Sequence, residues 1–438
     1  MGAPVAFIVI ERFLILWHFI RARWLPRLPA EWRLRHFLRR VVRECPHYRD
    51  IEPELKNFPL MAKRNFLAHF ADLNRHGITL EEATRVALRA EHDRDFQPQL
   101  PGGISVGLSS GTSGARHVFL VDRADRCRWA GEMFARMLPT KLLLHILNPL
   151  RPPLRIAFFL RASSNLYTTL RSRRVQFAYY DLTHPFTDLL DELHHQQPHI
   201  LIAPATVLAA IARHSSFRNS YPELQQIISV AEVLDTQDRA LIETTFGLSV
   251  GQIYQAAEGF LGFTCHHGRI HLNEDSLHIE RRWVDARRER FQPVITDFSR
   301  HTQWFVRHHL TDILRPARTP CLCGHRTTSL ESIEGRAEEI LWCRDATGAP
   351  QPIFPDVLRQ ALYSTPQTLD LYRIEQHGDD WHIILRDPDS KLKAAVADSL
   401  IKLIQGLHLK PPSFHFLPWA DQALHEKQKR LSCIAPPT

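Results

Sequence analysis

The spacing of apolar positions predicts helices in the first hundred residues and alternating strands and helices after them. Residues 28–91 have a helical period, interrupted by polar stretches and by a loop at 45–48. After the Pro-Gly-Gly of 101–103, short apolar runs that fit buried strands alternate with longer amphipathic stretches. The predicted strands are 155–160, 199–203, 226–230 and 249–254, with a helix at 236–246. This alternation is typical of an α/β fold.

The pattern changes again near Arg336, where we place a domain boundary. Residues 277–298 predict strands, and 316–324 predict an irregular loop. Beyond the boundary, 371–375 and 381–385 form a hairpin, 390–407 a helix and 413–417 a last strand. We therefore predict a large N-terminal domain, 1–336, with mixed sheets and flanking helices behind a mainly helical lead-in of 1–100. A small mobile α+β domain, 337–438, follows it.

Composition limits the class of protein. A chain of 438 residues exceeds what one core usually supports, and its 44% apolar and 23% charged residues are ordinary for a folded protein. The net charge of +8 suits a polyanion or an anionic membrane. We find no RNA-binding signature and no recognition helix, so we expect no nucleic-acid partner. Seven cysteines give no even disulfide framework, which favours a cytoplasmic protein.

The apolar stretch at 5–20 raises the question of a membrane span. Glu11, Arg12 and His18 interrupt it, and its apolar runs are shorter than the roughly 20 residues that a span requires. It also lacks the small-residue cleavage site of a signal peptide. We predict a docked or interfacial helix, with peripheral membrane association through residues 5–20 as the alternative.

One loop has the composition of a phosphate-binding site. Small and hydroxylated residues follow one another there: Ser109, Ser110, Gly111, Thr112, Ser113 and Gly114. Glycines let the backbone approach an anion and direct N–H groups at it, and hydroxyls add donors. No Gly-Lys-Ser/Thr ends the loop, so it is not a Walker motif. By itself, such a loop is equally often an ordinary flexible connection.

Together with motifs downstream, the loop resembles that of the adenylate-forming superfamily of acyl-CoA synthetases and adenylation domains. The branch that the chain resembles most is the phenylacetate-CoA ligase-like group, and within it the adenylate-forming enzymes of aryl polyene or xanthomonadin-type pigment pathways. The similarity covers most of the chain. The first matching segments are CPHYRD (45–50), PLMAK (59–63), SVAEVL (229–234) and IYQAAEG (253–259).

The resemblance implies a role for each matching residue. Glu232 and Tyr254 would lie at the adenine, and Glu258 would coordinate the Mg²⁺ that bridges the ATP phosphates, in keeping with the preference of Mg²⁺ for few carboxylates plus phosphate. In VRHHLTDIL (306–314), Asp312 would accept the ribose hydroxyls, and Arg307 is the first arginine of the motif. Without the resemblance, Glu258 would be a solvated loop carboxylate and Tyr254 a core aromatic.

The hinge and the catalytic lysine follow from the same resemblance. In GRAEEIL (335–341), Arg336 would contact the nucleotide and Glu338 would mark the pivot. EKQKR (426–430) has the Lys-x-x-Arg spacing of the family's C-terminal catalytic lysine, which implies that role for Lys427. Glu258 is the second residue for which the resemblance implies a catalytic role. The lysine cation would stabilise charge that develops between the acid and the α-phosphate. Lys429 is the alternative, as are two solvated tail lysines.

Three departures from the family pattern affect the same site. Arg116 follows the loop where the family has a lysine, and its geometry differs from that of lysine. Ala257 replaces a phosphate-directed hydroxyl, and His309 replaces the second arginine of the motif. The competing hypothesis is therefore a non-catalytic nucleotide-binding relative that acts as a scaffold for a carrier protein or a membrane complex.

Cysteines and histidines suggest a separate metal site. The pair Cys321 and Cys323 lies downstream of Cys265 and of several histidines, and Cys/His sets from two loops can bind zinc. The resembled branch often has such a Cys-x-Cys and an upstream Cys and His, which here are Cys265 and His271. The implied ligands of a structural Zn²⁺ are thus Cys265, His271, Cys321 and Cys323. Buried free thiols beside solvent-facing histidines are the alternative.

The resemblance also implies the reaction: ATP adenylates a carboxylic acid, and a thiol of coenzyme A or of a carrier protein's phosphopantetheine then forms a thioester. The acid pocket is expected between residues 158 and 204 and around the loop after Glu258. Phe177, Tyr179 and Tyr180 could line it, although such stripes are more often core. The pigment-pathway resemblance implies a small aromatic, hydroxybenzoate-like acid.

Overall fold

The computed structural model describes residues 5–25, 29–95, 99–108, 116–161, 170–214, 221–365, 369, 371–420 and 429–437. The chain forms two compact units. The first comprises Met1–Arg282, Pro293–Leu310 and Pro316–Glu331. The second comprises Trp283–Gln292, Thr311–Arg315 and Ser332–Thr438.

The described helices of the first unit are α1 (Val5–Arg23), α2 (Ala30–Glu44), α3 (Lys63–Ala68), α4 (Leu80–Asp93), α5 (Arg123–Met137), α6 (Thr140–Leu147), α7 (Phe186–Gln196), α8 (Ala205–Arg213) and α9 (Thr236–Phe246). Its strands are β1 (Ser105–Leu108), β2 (Val118–Val121), β3 (Leu154–Leu160), β4 (Val175–Asp181), β5 (Ile200–Pro204), β6 (Gln226–Val230), β7 (Val250–Ala256), β8 (Gly259–Thr264), β9 (Ile270–Leu272) and β12 (His308–His309). Four further strands have residues in both units: β10 (Leu277–Trp283), β11 (Phe291–Asp297), β13 (Asp312–Pro316) and β14 (Ser329–Arg336).

A mixed sheet forms the centre of the first unit. Its parallel part has the strand order β4-β3-β5-β6-β7. β8 runs antiparallel to β7, and β9 antiparallel to β8. The predicted α/β fold with a large mixed sheet is therefore confirmed.

Alternate residues of the parallel strands pack into two cores. Leu201 and Ile227 belong to the core that α7, α8 and α9 cover. Ile202 and Ile228 belong to the core that α5 and α6 cover. Because both faces of the sheet are covered, its strands are continuous apolar runs, and this is why they could be recognised in the sequence.

The second unit contains a small sheet with two helices. Its elements are β15 (Leu341–Arg344), β16 (Pro350–Ile353), α10 (Pro355–Tyr363), β17 (Tyr372–His377), β18 (Asp380–Leu385), α11 (Ser390–Gly406), β19 (Ser413–Leu417) and β20 (Leu431–Ala435). The four-stranded sheet has the order β19-β18-β17-β20, in which β17 and β18 form the predicted antiparallel hairpin. The expectation that 413–417 is the last strand is wrong, because β20 follows and pairs parallel with β17.

Helix α1 packs closely against α5. Arg23 donates hydrogen bonds from NH1 to the carbonyls of Ala135 (3.0 Å) and Leu138 (2.7 Å). Glu11, one of the charges that interrupt the apolar stretch, forms an ion pair with Arg123 (2.7 Å). No helix in the described part of the chain combines the length and the apolarity needed to cross a bilayer.

The contact between these helices depends on Gly131. A Cβ at this position would lie 2.6 Å from the carbonyl oxygen of Ile15 and 2.8 Å from the backbone nitrogen of Phe19. Both atoms belong to the α1 backbone, so a side chain at position 131 would force α1 away from α5.

We expect Gly131→Ala to lower the free energy of unfolding of the first unit by about 1–3 kcal/mol, the usual cost of overpacking. Thermal unfolding and the rate of proteolysis within α1 measure this change. Gly251→Ala is the matched control, because its Cβ would meet no atom closer than 3.7 Å. Equal melting temperatures and equal α1 proteolysis in the two variants would contradict the close packing.

Candidate functional site

Predicted nucleotide residues lie where neighbouring parallel strands end. Glu232 follows β6, Tyr254 lies near the end of β7, and Glu258 follows β7. The Oε2 atom of Glu232 accepts hydrogen bonds from the backbone N–H (3.0 Å) and the hydroxyl (2.8 Å) of Thr206, which follows β5. Tyr254 is mostly buried. The carboxyl ends of parallel strands are where open α/β sheets bind ligands.

Arg300 holds the turn that carries Glu258. The turn consists of Ala257 and Glu258 and joins β7 to β8. The buried guanidinium of Arg300 donates to the carbonyl oxygens of Ala257 (3.0 Å) and of Leu120 in β2 (3.0 Å). The turn and β2 are therefore held at a fixed separation by one side chain.

The loop of Arg300 is in turn fixed to α5 by Asp125. The Oδ2 atom of this buried carboxylate accepts hydrogen bonds from the backbone N–H groups of His301 (3.0 Å) and Thr302 (2.9 Å) and from the Thr302 hydroxyl (2.6 Å). Asp125 lies in the first turn of α5, directly after β2. The frame around Glu258 thus depends on a chain of buried charged groups and not on apolar packing alone.

Two histidines converge on Glu258. His117, just before β2, places Nδ1 at 2.9 Å from Oε1 of Glu258, and His308, the first residue of β12, places Nε2 at 3.3 Å from the same oxygen. All three side chains are buried. Burial alone would raise the pKa of Glu258, but the imidazoles, His117 foremost, hold it well below its ordinary value. Burial lowers the pKa of His308 against the opposing effect of Glu258.

Aromatic rings enclose this histidine-carboxylate cluster. Phe66 of α3 has its ring centroid 5.2 Å from those of both His117 and His308. Phe305 stacks on Phe66 (4.7 Å) and contacts His308 edge-on (5.4 Å). Apolar rings keep water away, so electrostatic interactions inside the cluster are stronger than at an exposed site.

The predicted phosphate loop, Ser109 to Gly114, lies outside the described residues. The strands on either side of it, β1 and β2, pair antiparallel with Leu108 opposite Val118. Arg116, which could replace the family lysine, donates from NH1 to Oε2 of Glu91 (2.6 Å). Its charge is therefore already paired with a carboxylate.

Arg307 makes its contacts within the first unit. It forms a bidentate ion pair with Glu280, with both N–O distances at 3.0 Å, and donates from NH1 to the carbonyl of Phe58 (2.8 Å). These contacts fix a residue with a positive φ of 46°. The structure thus assigns Arg307 a structural role, and its predicted contact with nucleotide remains a hypothesis.

In the second unit, the predicted ribose and nucleotide residues lie together. The Nε atom of Arg336 donates to Oδ1 of Asp312 (3.2 Å), and its NH1 lies 3.9 Å from Glu338. Lys427 lies outside the described residues. Lys429, the alternative catalytic lysine, comes two residues before β20.

The predicted zinc ligands form one compact cluster in the first unit. One ligand atom from each of Cys265, His271, Cys321 and Cys323 lies within 4.8 Å of the others. The Sγ atoms of Cys265 and Cys321 are 3.6 Å apart, and Sγ of Cys323 is 3.3 Å from Nε2 of His271. All seven cysteines of the chain are described, and none forms a disulfide.

The aromatic run of β4 belongs mainly to the core. Phe177 and Tyr180 are buried, with Tyr180 stacked on Phe159 at 4.4 Å. Tyr179 is half-buried and donates its hydroxyl to the carbonyl of Leu160 (2.8 Å). For Phe177 and Tyr180 the structure therefore supports the core alternative over the pocket wall.

A small cavity lies beside the Glu258 turn. Its volume is about 40 Å³, and its lining includes Asp125, Arg128, Ala257 and Asp297. Since one water needs roughly 10–15 Å³ by this measure, the cavity has room for about three waters. The charged lining agrees with hydration of this space.

Three residues around Glu258 were not predicted from the sequence: His117, His308 and Arg300. Each is far from Glu258 in the chain and reaches it only through tertiary contacts, which no local pattern records. His308 carried one signal, since in VRHHLTDIL it occupies the tyrosine position of the family motif Ile-Arg-Tyr-Arg-Thr-Gly-Asp.

Comparisons with known proteins identify the fold. No protein-family model and no curated protein matches the sequence. Among solved structures, 2-hydroxyisobutyryl-CoA ligase in its postadenylation state with 2-HIB-AMP is similar over 94% of this chain and 91% of that chain, with a TM-score of 0.66 and 16% identity. The chain therefore has the fold of an adenylate-forming acyl-CoA ligase, as the sequence predicted.

Two other ligases match over a smaller part. The anthranilate CoA ligase AuaEII with anthranoyl-AMP has a TM-score of 0.50 and 13% identity, covering 74% of this chain and 65% of that chain. ATP-bound MatB from Rhodopseudomonas palustris has a TM-score of 0.51 and 11% identity, covering 75% and 65%. At these identities the similarity establishes the fold alone.

Proposed function

We propose that the protein activates a carboxylic acid with ATP and transfers the acyl group to a thiol. In the first step, a carboxylate oxygen of the acid attacks the α-phosphorus of ATP, and pyrophosphate leaves. In the second step, the thiol attacks the acyl carbon, and AMP leaves. The observation that supports this proposal most is the fold match to an acyl-AMP-bound ligase over nearly the whole of both chains.

The proposed residue roles keep to the sequence motifs. Ser109 to Gly114 would cradle phosphate, Glu232 and Tyr254 would contact adenine, and Asp312, Arg336 and Arg307 would contact the rest of the nucleotide. Glu258 would bind the Mg²⁺ on the phosphates, and the low pKa of Glu258 keeps it ionised for that task. Lys427 would stabilise the charge that develops on the carboxylate and the α-phosphate.

For the acceptor, we propose coenzyme A or a carrier protein's phosphopantetheine arm. Two of the three similar solved structures are of coenzyme A ligases, and the third is of an ATP-bound protein. This supports coenzyme A as the first thiol to test. We propose an aromatic acid of the hydroxybenzoate kind as substrate, and the pigment-pathway branch as the family setting. Both rest on the motif resemblance.

A scaffold without catalysis is the second candidate function, because two observations favour it. Glu258 is already paired with two histidines, and Arg116 with Glu91. Ala257 further lacks the hydroxyl of the family pattern. A scaffold would bind ATP but would not catalyse ATP/pyrophosphate exchange in the presence of any acid.

We expect acid-dependent ATP/pyrophosphate exchange with a member of a panel of aryl and fatty acids. Lys427→Ala is expected to slow this exchange by about 100- to 1,000-fold, the usual effect of removing one group that stabilises transition-state charge. Lys429→Ala is the control and should keep the wild-type rate. ATP binding without exchange for every acid would favour the scaffold, and a fully active Lys427→Ala would refute the assignment of that lysine.

We propose a structural Zn²⁺ on Cys265, His271, Cys321 and Cys323. Tetrahedral zinc with thiolates at about 2.3 Å holds two sulfurs about 3.8 Å apart, close to the observed 3.6 Å. His271 places Nδ1 3.3 Å from the carbonyl of Thr327, a contact that would orient Nε2 toward the metal. Thiolate ligands require reducing surroundings, such as the cytoplasm that we propose.

We expect Cys321→Ser/Cys323→Ser to lose one equivalent of bound zinc. In Co²⁺-substituted protein the same change should abolish the thiolate-to-cobalt charge-transfer band, because among the described residues this is the one group of potential metal ligands that contains cysteine. Cys433→Ser, a half-buried thiol in β20, is the control and should keep both the zinc and the band. An unchanged zinc content in the double variant would sink the proposal.

We also propose that α1 contacts an anionic membrane surface. It exposes apolar side chains at helical spacing, among them Ile10 (53% exposed), Phe13 (68%) and Trp17 (47%), and the exposed Trp24 (59%) directly follows the helix. Arg12 and Arg21 are exposed on the same helix, and the chain carries a net charge of +8. Exposed aromatic residues with flanking arginines are typical of helices that lie in a bilayer interface.

We expect the protein to sediment with vesicles that contain anionic lipid, and less with neutral ones. Phe13→Ser/Trp17→Ser should lower the bound fraction, since these side chains supply the apolar contact. Leu60→Ser/Leu88→Ser removes two exposed leucines elsewhere and should bind as wild type. Equal binding of both double variants would exclude α1 as the contact.

A further inference from the structure

The cluster of His117, Glu258 and His308 has the composition and spacing of a metal site in its own right. The ligand atoms of the three residues lie within 4.8 Å of one another, and all three side chains are buried. The contacts from Oε1 of Glu258 to the two imidazole nitrogens are 2.9 and 3.3 Å. Nitrogen and oxygen ligands at about 2.0–2.1 Å from a tetrahedral ion lie about 3.3 Å apart, so small shifts of these side chains would admit one.

Hydrogen bonding alone leaves His308 unsatisfied. Its Nδ1 has no hydrogen-bond partner in the described ranges, and its Nε2 has only the long 3.3 Å contact with Oε1 of Glu258. The ring is only 1% exposed. A buried polar group without a partner is costly and calls for an explanation. A ligand between His308 and Glu258 would provide one, because the Nε2 lone pair would point at it and not at the carboxylate.

The chemistry of the three ligands decides which cation fits. Mg²⁺ takes oxygen ligands and keeps several waters, whereas imidazole suits zinc and other transition metals. Two histidines and one carboxylate are a known ligand set for zinc and for iron(II), with a coordination position left open. Phe66 and Phe305 supply the apolar shell that limits access of water to such an ion.

We propose that His117, Glu258 and His308 bind a divalent transition-metal ion, Zn²⁺ before Mn²⁺ or Co²⁺, through two imidazole nitrogens and one carboxylate oxygen. The ion stays bound when nucleotide is absent. The proposal does not rest on the adenylation activity, because binding of the metal alone is measured.

Metal-free full-length protein titrated with Zn²⁺ and no ATP tests this site. His308→Gln should bind one equivalent fewer than wild type at a free Zn²⁺ concentration that saturates wild type. The affinity of the His308→Gln variant for Zn²⁺ at this site should fall by at least about tenfold. Loss of a group that only orients a metal ligand already lowers metal affinity by that factor, and His308 is itself a proposed ligand. His309→Gln alters the neighbouring histidine and should bind as wild type. Equal zinc stoichiometry in all three proteins would overturn the proposal.

A second measurement covers the case in which His308→Gln does not fold. Zn²⁺ bound to Cys321→Ser/Cys323→Ser protein is examined by X-ray absorption, since this change leaves the histidine cluster intact. We expect a first shell of nitrogen and oxygen only, with the outer scattering of two imidazoles. Absence of zinc, or a shell that contains sulfur, would refute the site. Neither result depends on whether the protein exchanges pyrophosphate.

Discussion

The buried carboxylate of Glu258 is the constraint on which the candidate site depends. An ionised group away from water is stable only with compensating partners. The chain supplies them from three distant segments: His117 before β2, His308 in β12, and Arg300, which holds the turn. His308 lies in a strand that pairs with β11, and Arg300 links the turn to β2, the strand that His117 precedes. The position of Glu258 therefore follows from the fold, and its ionisation from the partners.

Buried charged groups also connect the turn that carries Glu258 to helices α5 and α1. Arg300 is fixed in its loop by Asp125, and Asp125 belongs to α5, the helix against which α1 packs. Gly131 allows that packing because a Cβ at this position would lie only 2.6 Å from the carbonyl oxygen of Ile15 in α1. A displacement of α1 is thus linked to the site through one helix.

Much of the fold could be predicted from the sequence because its signals are local. The buried parallel strands are continuous apolar runs, and the β17–β18 hairpin shows alternation on either side of a Gly-Asp turn. β20 escaped prediction because it pairs with β17 across more than fifty residues, a contact that no local pattern records. Phe177 and Tyr180 show the reverse: their aromatic character is local, but their burial depends on tertiary contacts. Tyr180 stacks on Phe159 in the core beside α7, whereas Phe177 packs in the core that α5 and α6 cover.

One departure from the family motifs, Ala257, directly precedes Glu258, the carboxylate that two histidines contact. Ala257 removes a hydroxyl, an oxygen group of the kind that suits phosphate and Mg²⁺, while His308 adds an imidazole where the motif has tyrosine. His117 adds a second imidazole from the segment that follows the phosphate loop. His117 and His308 meet on the single oxygen Oε1 of Glu258, so a cation bound there would have nitrogen ligands beside the carboxylate oxygen. Such a ligand set suits ions of borderline softness better than it suits Mg²⁺.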